Sequence, residues 1–115
     1  MVDTEDVLER HLDAFGQQDL PEVMANYTDE SVVVTNMGTF RGRNGIRRLF
    51  ADLFEDFSHG GTLEIHQQTV EDDFAYVVWG GETTENVYEF ATETFYIPED
   101  GILFQTFAAK ITTKE

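Results

Sequence analysis

Phe74-Ala75-Tyr76-Val77-Val78-Trp79-Gly80-Gly81 carries apolar side chains at odd and even positions alike, then runs into two glycines. Successive side chains of a strand point to opposite faces, so this strand asks for apolar cover on both sides. The paired glycines at its end mark a bulge or bend. Residues 102–113 repeat the theme, with Phe104 and Ala108 set against Phe107 and Ala109. Residues 63–70 and 87–97 are two further strand-like runs, and acidic or glycine-containing turns separate all four. Helices can cover one face of such a sheet. A second copy of the chain can cover the other, which predicts a homodimer.

Toward the N-terminus the period changes. Val7, Leu8, Leu12 and Phe15 form one stripe of a helix that begins near Asp3 or Thr4 and ends at Gly16. Leu20, Val23, Met24 and Tyr27 mark a second, shorter helix, with Asp19 and Pro21 at its start. Residues 31–35 are a short β-branched strand. Ile46, Leu49, Phe50, Leu53, Phe54 and Phe57 make the clearest helix, with Asn44 as its expected N-cap and Gly60-Gly61 as its stop. Three helices followed by a curved, mostly antiparallel sheet is an α+β architecture, here one domain over residues 1–115.

Bulk composition excludes several function classes. The 115 residues contain no cysteine, which removes thiolate chemistry and every Cys-ligated metal site. Seven Lys and Arg oppose 23 Asp and Glu, for a net charge of −16. Such a field repels phosphate backbones, so no nucleic-acid partner is expected. Apolar runs are too short to span a bilayer, so no membrane partner is expected either. The acidic start of the chain lacks a basic leader, which makes the cytoplasm the expected location. Only Lys110 and Lys114 are lysines. Few lysines with excess carboxylate fit a protein working in concentrated salt; an ordinary acidic protein is the alternative.

Several strings carry a resemblance. They are Asp19-Leu20-Pro21-Glu22-Val23-Met24 leading to Tyr27-Thr28-Asp29-Glu30-Ser31-Val32, Phe40-Arg41-Gly42-Arg43 running into Ile46 and Phe50, and Asp100-Gly101-Ile102. With the order of elements, they resemble the cone-shaped α+β barrels that include nuclear transport factor 2, ketosteroid isomerase and SnoaL-type polyketide cyclases. The resemblance covers nearly the whole chain and implies a pocket between the helices and the concave face of the sheet. It does not fix function, because the family includes isomerases, cyclases, dehydratases, epoxide hydrolases and non-catalytic modules.

His11 is a titratable ring on the apolar stripe of the first helix, and such a ring needs a partner or a cavity. It is either a satisfied core histidine or a proton donor. The resemblance places it where ketosteroid isomerases hold the tyrosine that donates to the oxyanion. Glu93 shares strand parity with Ala91, Phe95 and Ile97, where a carboxylate is costly unless paired or protonated. The resemblance places it where the isomerases hold a protonated aspartic acid. The opposite parity, with Phe90, Thr92, Thr94 and Tyr96 inward, leaves Glu93 in solvent. The isomerase base falls on Thr35, which cannot act as one.

Phe15, Tyr27, Thr35, Met37, Phe50, Phe54, Trp79, Phe104 and Thr106 are the expected ligand-binding residues. Aromatic walls with a few polar groups suit a small apolar or aromatic ligand, although a packed core explains the same residues. Arg41, Arg43, Arg47 and Arg48 either hold an anion or pair with nearby acids. Lys110 falls mid-strand, at a possible pocket rim. Spacings of His and carboxylates match no metal motif, so neither metal nor cofactor is expected. The reading that results is a proton-transfer enzyme of cyclase, isomerase or dehydratase type acting on a small apolar carbonyl compound. A ligand-binding or dimerisation module of the same fold is the alternative.

Overall fold

The computed structural model describes residues 3–115 as three helices and six strands. Helix α1 (Thr4–Gly16) opens on a capping box, in which the Asp3 carboxylate accepts from the Asp6 amide at 2.9 Å and Asp6 reciprocates. Helix α2 (Leu20–Met24) is capped by Asp19, with Pro21 in its first turn. Strand β1 (Tyr27–Thr35) and strand β2 (Gly38–Arg41) then form a hairpin. Helix α3 (Gly42–Phe57) follows, then β3 (Gly61–Glu71), β4 (Phe74–Thr83), β5 (Asn86–Tyr96) and β6 (Ile102–Thr113).

Three local expectations are corrected. Tyr27 opens β1 instead of closing α2, because it pairs with Ile102 of β6. The sequence reading had no β2, whose short ladder pairs Phe40 with Val33 and Thr39 with Val34. The N-cap of α3 is Arg41, not Asn44, and it makes no side-chain cap. Gly42 begins that helix at φ +71, where a Cβ would lie 3.2 Å from the Asp29 carbonyl oxygen, so a glycine is needed there.

The sheet order is β2-β1-β6-β5-β4-β3, with β1 and β6 parallel and every other pair antiparallel. It bends along one line. His66 is an extra residue on β3 and Glu89 an extra residue on β5, and Gly80 of β4 lies between these bulges. A Cβ on Gly80 would lie 3.0 Å from the His66 ring, and one on Gly81 would lie 2.7 Å from the Thr62 carbonyl. The glycine pair therefore permits the bend, while the inserted residues sit on the flanking strands.

Each bulge also shifts parity by one. On β5 both Tyr88 and Ala91 face the helices, followed by Glu93 and Phe95. On β3 the inward set is Leu63, Ile65, Gln68 and Val70, opposite Trp79, Val77 and Ala75 of β4. The core lies between this concave face and the helices, built on Val7, Leu8, Ile46, Phe50, Trp79 and Phe95. Phe90, Thr92, Thr94 and Tyr96 point to the outer face.

Candidate functional site

Glu93 is where the concave face becomes polar. Its residue is 8 % exposed, and both carboxylate oxygens accept from fixed donors. Trp79 Nε1–H donates to Oε2 at 2.8 Å from the neighbouring strand. Gln105 Nε2–H donates to Oε1 at 2.6 Å from β6. The Gln105 amide is oriented in turn, because its Oε1 accepts the Tyr27 hydroxyl. Four side chains from β1, β6, β5 and β4 thus form one buried chain of hydrogen bonds, Tyr27–Gln105–Glu93–Trp79.

Burial pushes the Glu93 carboxyl from 4.5 up to about 7, against the opposing pull of the Trp79 and Gln105 donors. The group is therefore divided between acid and carboxylate near neutral pH. Burial, and then the Glu93 charge, hold the Tyr27 hydroxyl well above its ordinary range.

His11 approaches from α1. It is 2 % exposed, and the rings of Tyr27, Phe50 and Phe95 meet it edge-on with centroids 5.9, 5.7 and 5.4 Å away. Burial lowers its pKa from 6.5 to about 4, so the imidazole is neutral at pH 7. Its Nδ1 finds no hydrogen-bond partner among the described residues.

His11 and Glu93 both border one cavity of about 510 Å³. That is within the range of small-molecule sites. Leu12 and Phe15 of α1, Leu63 and Ile65 of β3, and Trp79 give it apolar walls, while Glu9, Asp13 and Gln68 stand at its open side. A chamber of about 10 Å³ lies beside Glu93 and Gln105, closed by Phe15, Phe50, Trp79 and Phe107. It has room for roughly one water.

The expected ligand-binding residues divide. Phe15 and Trp79 line the cavity, and Phe50 lines the small chamber. Tyr27 lies behind the wall, acting through Gln105. Phe54 packs on Phe15 and borders a separate cavity near the ends of α1 and α3. Thr35 is on the inward parity, but its hydroxyl donates to the Gly38 carbonyl and accepts from the Met37 amide, closing the β1–β2 turn. Met37 is 73 % exposed at that turn, outside any cavity wall. Phe104 and Thr106 are corrected to the outer face, because Gln105 and Phe107 occupy the inward parity of β6.

Other candidates are also reassigned. Lys110 is on the outer side, 4.0 Å from Glu89. Arg43 donates to the carbonyls of Met24 and Tyr27, and among the described residues none of the arginines forms an ion pair. Among the described residues no cluster of three His, Asp or Glu could hold a metal ion. Gln105 is the member of this buried hydrogen-bonded chain that the sequence reading missed. Its signal was a lone amide two positions before Phe107, on the parity that Phe107 and Ala109 share.

A model of the SnoaL-like domain matches residues 8–109. No curated protein matches the sequence. A candidate polyketide cyclase of Sinorhizobium meliloti superposes with a TM-score of 0.76 at 18 % identity, over 89 % of this chain and 93 % of its own. A candidate ketosteroid isomerase of Kribbella flavida gives 0.78 at 10 % identity, over 97 % and 81 %. An epoxide hydrolase of M. tuberculosis gives 0.70 at 14 % identity, over 90 % and 80 %. At such identities these likenesses concern the fold. No helix among the described residues is long and apolar enough to cross a membrane.

Proposed function

The chain belongs to the SnoaL-like family, and on that premise we propose that it is a proton-transfer enzyme acting on a small apolar carbonyl compound. Glu93 is its acid–base group and neutral His11 its hydrogen-bond donor. The observation that carries this reading is the buried Glu93 carboxyl, clamped by two N–H donors at a cavity wall and titrating near neutrality. A base with a pKa close to the working pH combines a useful ionised fraction with a strong proton affinity.

In the forward step the Glu93 carboxylate takes a proton from the carbon beside the carbonyl. The C–H electron pair becomes a C=C bond, and the carbonyl π pair moves to its oxygen. His11, protonated at Nε2, donates to that oxygen; a neutral imidazole serves because it lowers the charge without being a strong acid. Where a C=C adjoins that carbon, the electron pair extends over it, and return of the Glu93 proton to its far carbon gives isomerisation. Attack of the enolate carbon on a second carbonyl moves that carbonyl's π pair to its oxygen, which takes the Glu93 proton, and gives cyclisation. The second subunit is proposed to sit on the outer face of the sheet, where Phe74 stacks on Tyr96 and Phe104 is 41 % exposed.

The enclosure of His11 by three aromatic rings favours the rival reading, a binding module without chemistry. Solvent-deuterium exchange separates the two. Small cyclic ketones and enones are incubated with the protein in D₂O and followed by proton NMR. Exchange beside the carbonyl is expected, with a loss of roughly 10²–10⁴-fold in Glu93→Gln. Ketones that bind without exchanging would leave the binding module as the function, and exchange equally fast with Glu93→Gln would remove Glu93 as the acid–base group.

A further inference from the structure

The Gln105 amide can face Glu93 in two ways, and the two favour opposite charges. Its N–H₂ end donates and stabilises a carboxylate; its oxygen end accepts and stabilises a protonated carboxyl. A half-turn about the last side-chain bond exchanges the two ends and keeps the shape, so packing does not choose between them. Hydrogen-bond partners choose. Trp79 is engaged with Glu93 Oε2 and makes no hydrogen bond to the amide. The choice falls to Tyr27, whose hydroxyl donates to Gln105 Oε1. That is the hydroxyl's one hydrogen bond among the described residues, and both Tyr27 and Gln105 are buried. Turning the amide would therefore take the acceptor from a buried donor, which is costly.

From this geometry we infer that Tyr27 is a positioning residue for Glu93: its hydroxyl locks the Gln105 amide with N–H toward the carboxylate and so weakens the hold of Glu93 on a proton. With the amide locked, one N–H group occupies each carboxylate oxygen, Gln105 at Oε1 and Trp79 at Oε2. The acid form must carry its proton on a lone pair that neither donor holds, and Glu93 borders the cavity. Without the Tyr27 hydroxyl the amide is free to turn, and protonated Glu93 gains an acceptor in Gln105 Oε1. Its proton then lies in a hydrogen bond between β5 and β6, and it is held more tightly. The bearing of this lock on catalysis rests on the proton-transfer reading above; the lock itself does not. The other titratable groups facing Glu93 are His11 of α1, neutral at pH 7, and Glu9 and Asp13 at the open side of the cavity. From α3 and β3 only uncharged side chains face it, among them Phe50, Leu63 and Gln68.

The test follows the Glu93 carboxyl by carbon-13 NMR in the whole protein, with Glu93→Gln identifying its resonance. Tyr27→Phe removes the hydroxyl and keeps the ring that meets His11 and Phe50. It should move the Glu93 titration to higher pH by about one pH unit, a rise of about tenfold in proton affinity. The same substitution is then made in Gln105→Leu, where no amide remains to be oriented. There it should leave the Glu93 titration within about 0.3 pH units of Gln105→Leu alone, because Tyr27 acts only through Gln105. Tyr27→Met, which also lacks the hydroxyl, is read in the same way and decides the matter if Tyr27→Phe does not fold.

A titration that stays at its native position, or moves to lower pH, would overturn the inference. So would an equal upward shift in the Gln105→Leu background, since Tyr27 would then act on Glu93 without the amide. A role confined to stability would change the urea midpoint of Tyr27→Phe and leave the Glu93 titration in place, which is again the overturning result. The titration needs no turnover, so the two readings fail separately. An upward shift without any Glu93-dependent ketone exchange leaves the lock standing and removes the proton-transfer reading. Glu93-dependent exchange with an unshifted titration removes the lock and leaves that reading standing. Where both hold, the pH profile of exchange should move with the titration, by the same amount and in the same direction.

Discussion

Glu93 and His11 titrate in opposite senses, and the consequence for stability can be worked out. The folded chain holds the Glu93 proton up to about pH 7, whereas an unfolded one releases it near 4.5. Between those values the unfolded state binds fewer protons, so stability falls as pH rises. Carrying the carboxyl from 4.5 to about 7, at about 1.4 kcal/mol per pH unit, amounts to about 3 kcal/mol. The loss is complete above pH 7. His11 runs the other way, since its folded value of about 4 lies below the unfolded 6.5. There the unfolded state binds more protons, and stability rises by about 3 kcal/mol from pH 4 to 6.5.

The two slopes nearly cancel across the shared window. Urea unfolding of the native protein and of Glu93→Gln, repeated from pH 4 to 8, separates them. The exposed carboxylates contribute equally to both proteins and drop out of the difference. Stability of the native protein relative to Glu93→Gln should therefore fall by about 3 kcal/mol between pH 4.5 and 7. Glu93→Gln by itself should show the uncovered rise from His11. A difference that stays constant across the window would refute the reasoning, because Glu93 would then titrate as an exposed carboxyl.

Gln105→Leu removes a 2.6 Å donor from Glu93 and leaves the Tyr27 hydroxyl without its acceptor. It should cost about 1–3 kcal/mol in urea unfolding and move the Glu93 titration to higher pH by carbon-13 NMR. Gly81→Ala would press a methyl group against the Thr62 carbonyl, 2.7 Å away. A lower melting temperature, equivalent to about 1–3 kcal/mol, is expected. Light scattering should give twice 13.1 kDa for the native protein. Phe74→Glu with Phe104→Glu, on the outer face, should return it to a monomer. If the charge of −16 suits concentrated salt, the melting temperature should climb steeply between dilute and about 1 M KCl; a flat profile would remove that reading.

Periodicity carried much of the architecture. The capped stripe Val7, Leu8, Leu12 and Phe15 and the run from Ile46 to Phe57 state a helical period, and the strands after Thr62 are set apart by their apolar and β-branched runs and the turns between them; these are local properties of the chain. It also put His11 on a buried face, because one polar ring inside an apolar stripe is visible without coordinates. Strand β2 was not legible: it is four residues long and has no pattern of its own beyond its pairing with β1.

Facing was harder to read than periodicity. On β6, Phe104 and Phe107 are equally apolar, and only the register with β5 turns Gln105 and Phe107 inward and Phe104 and Thr106 outward. The extra residues His66 and Glu89 change the parity of their strands, and no local signal in the sequence marks them. The hydrogen-bonded chain from Tyr27 to Trp79 joins residues 78, 12 and 14 positions apart. Local sequence determined which segments are helix or strand, β2 and the start of β1 excepted, and that His11 lies on a core face. Only the folded sheet decided that Glu93 faces that core with Gln105 and Trp79 as its partners, because hydrogen bonds between strands depend on register, and register is settled by the packing of the whole sheet.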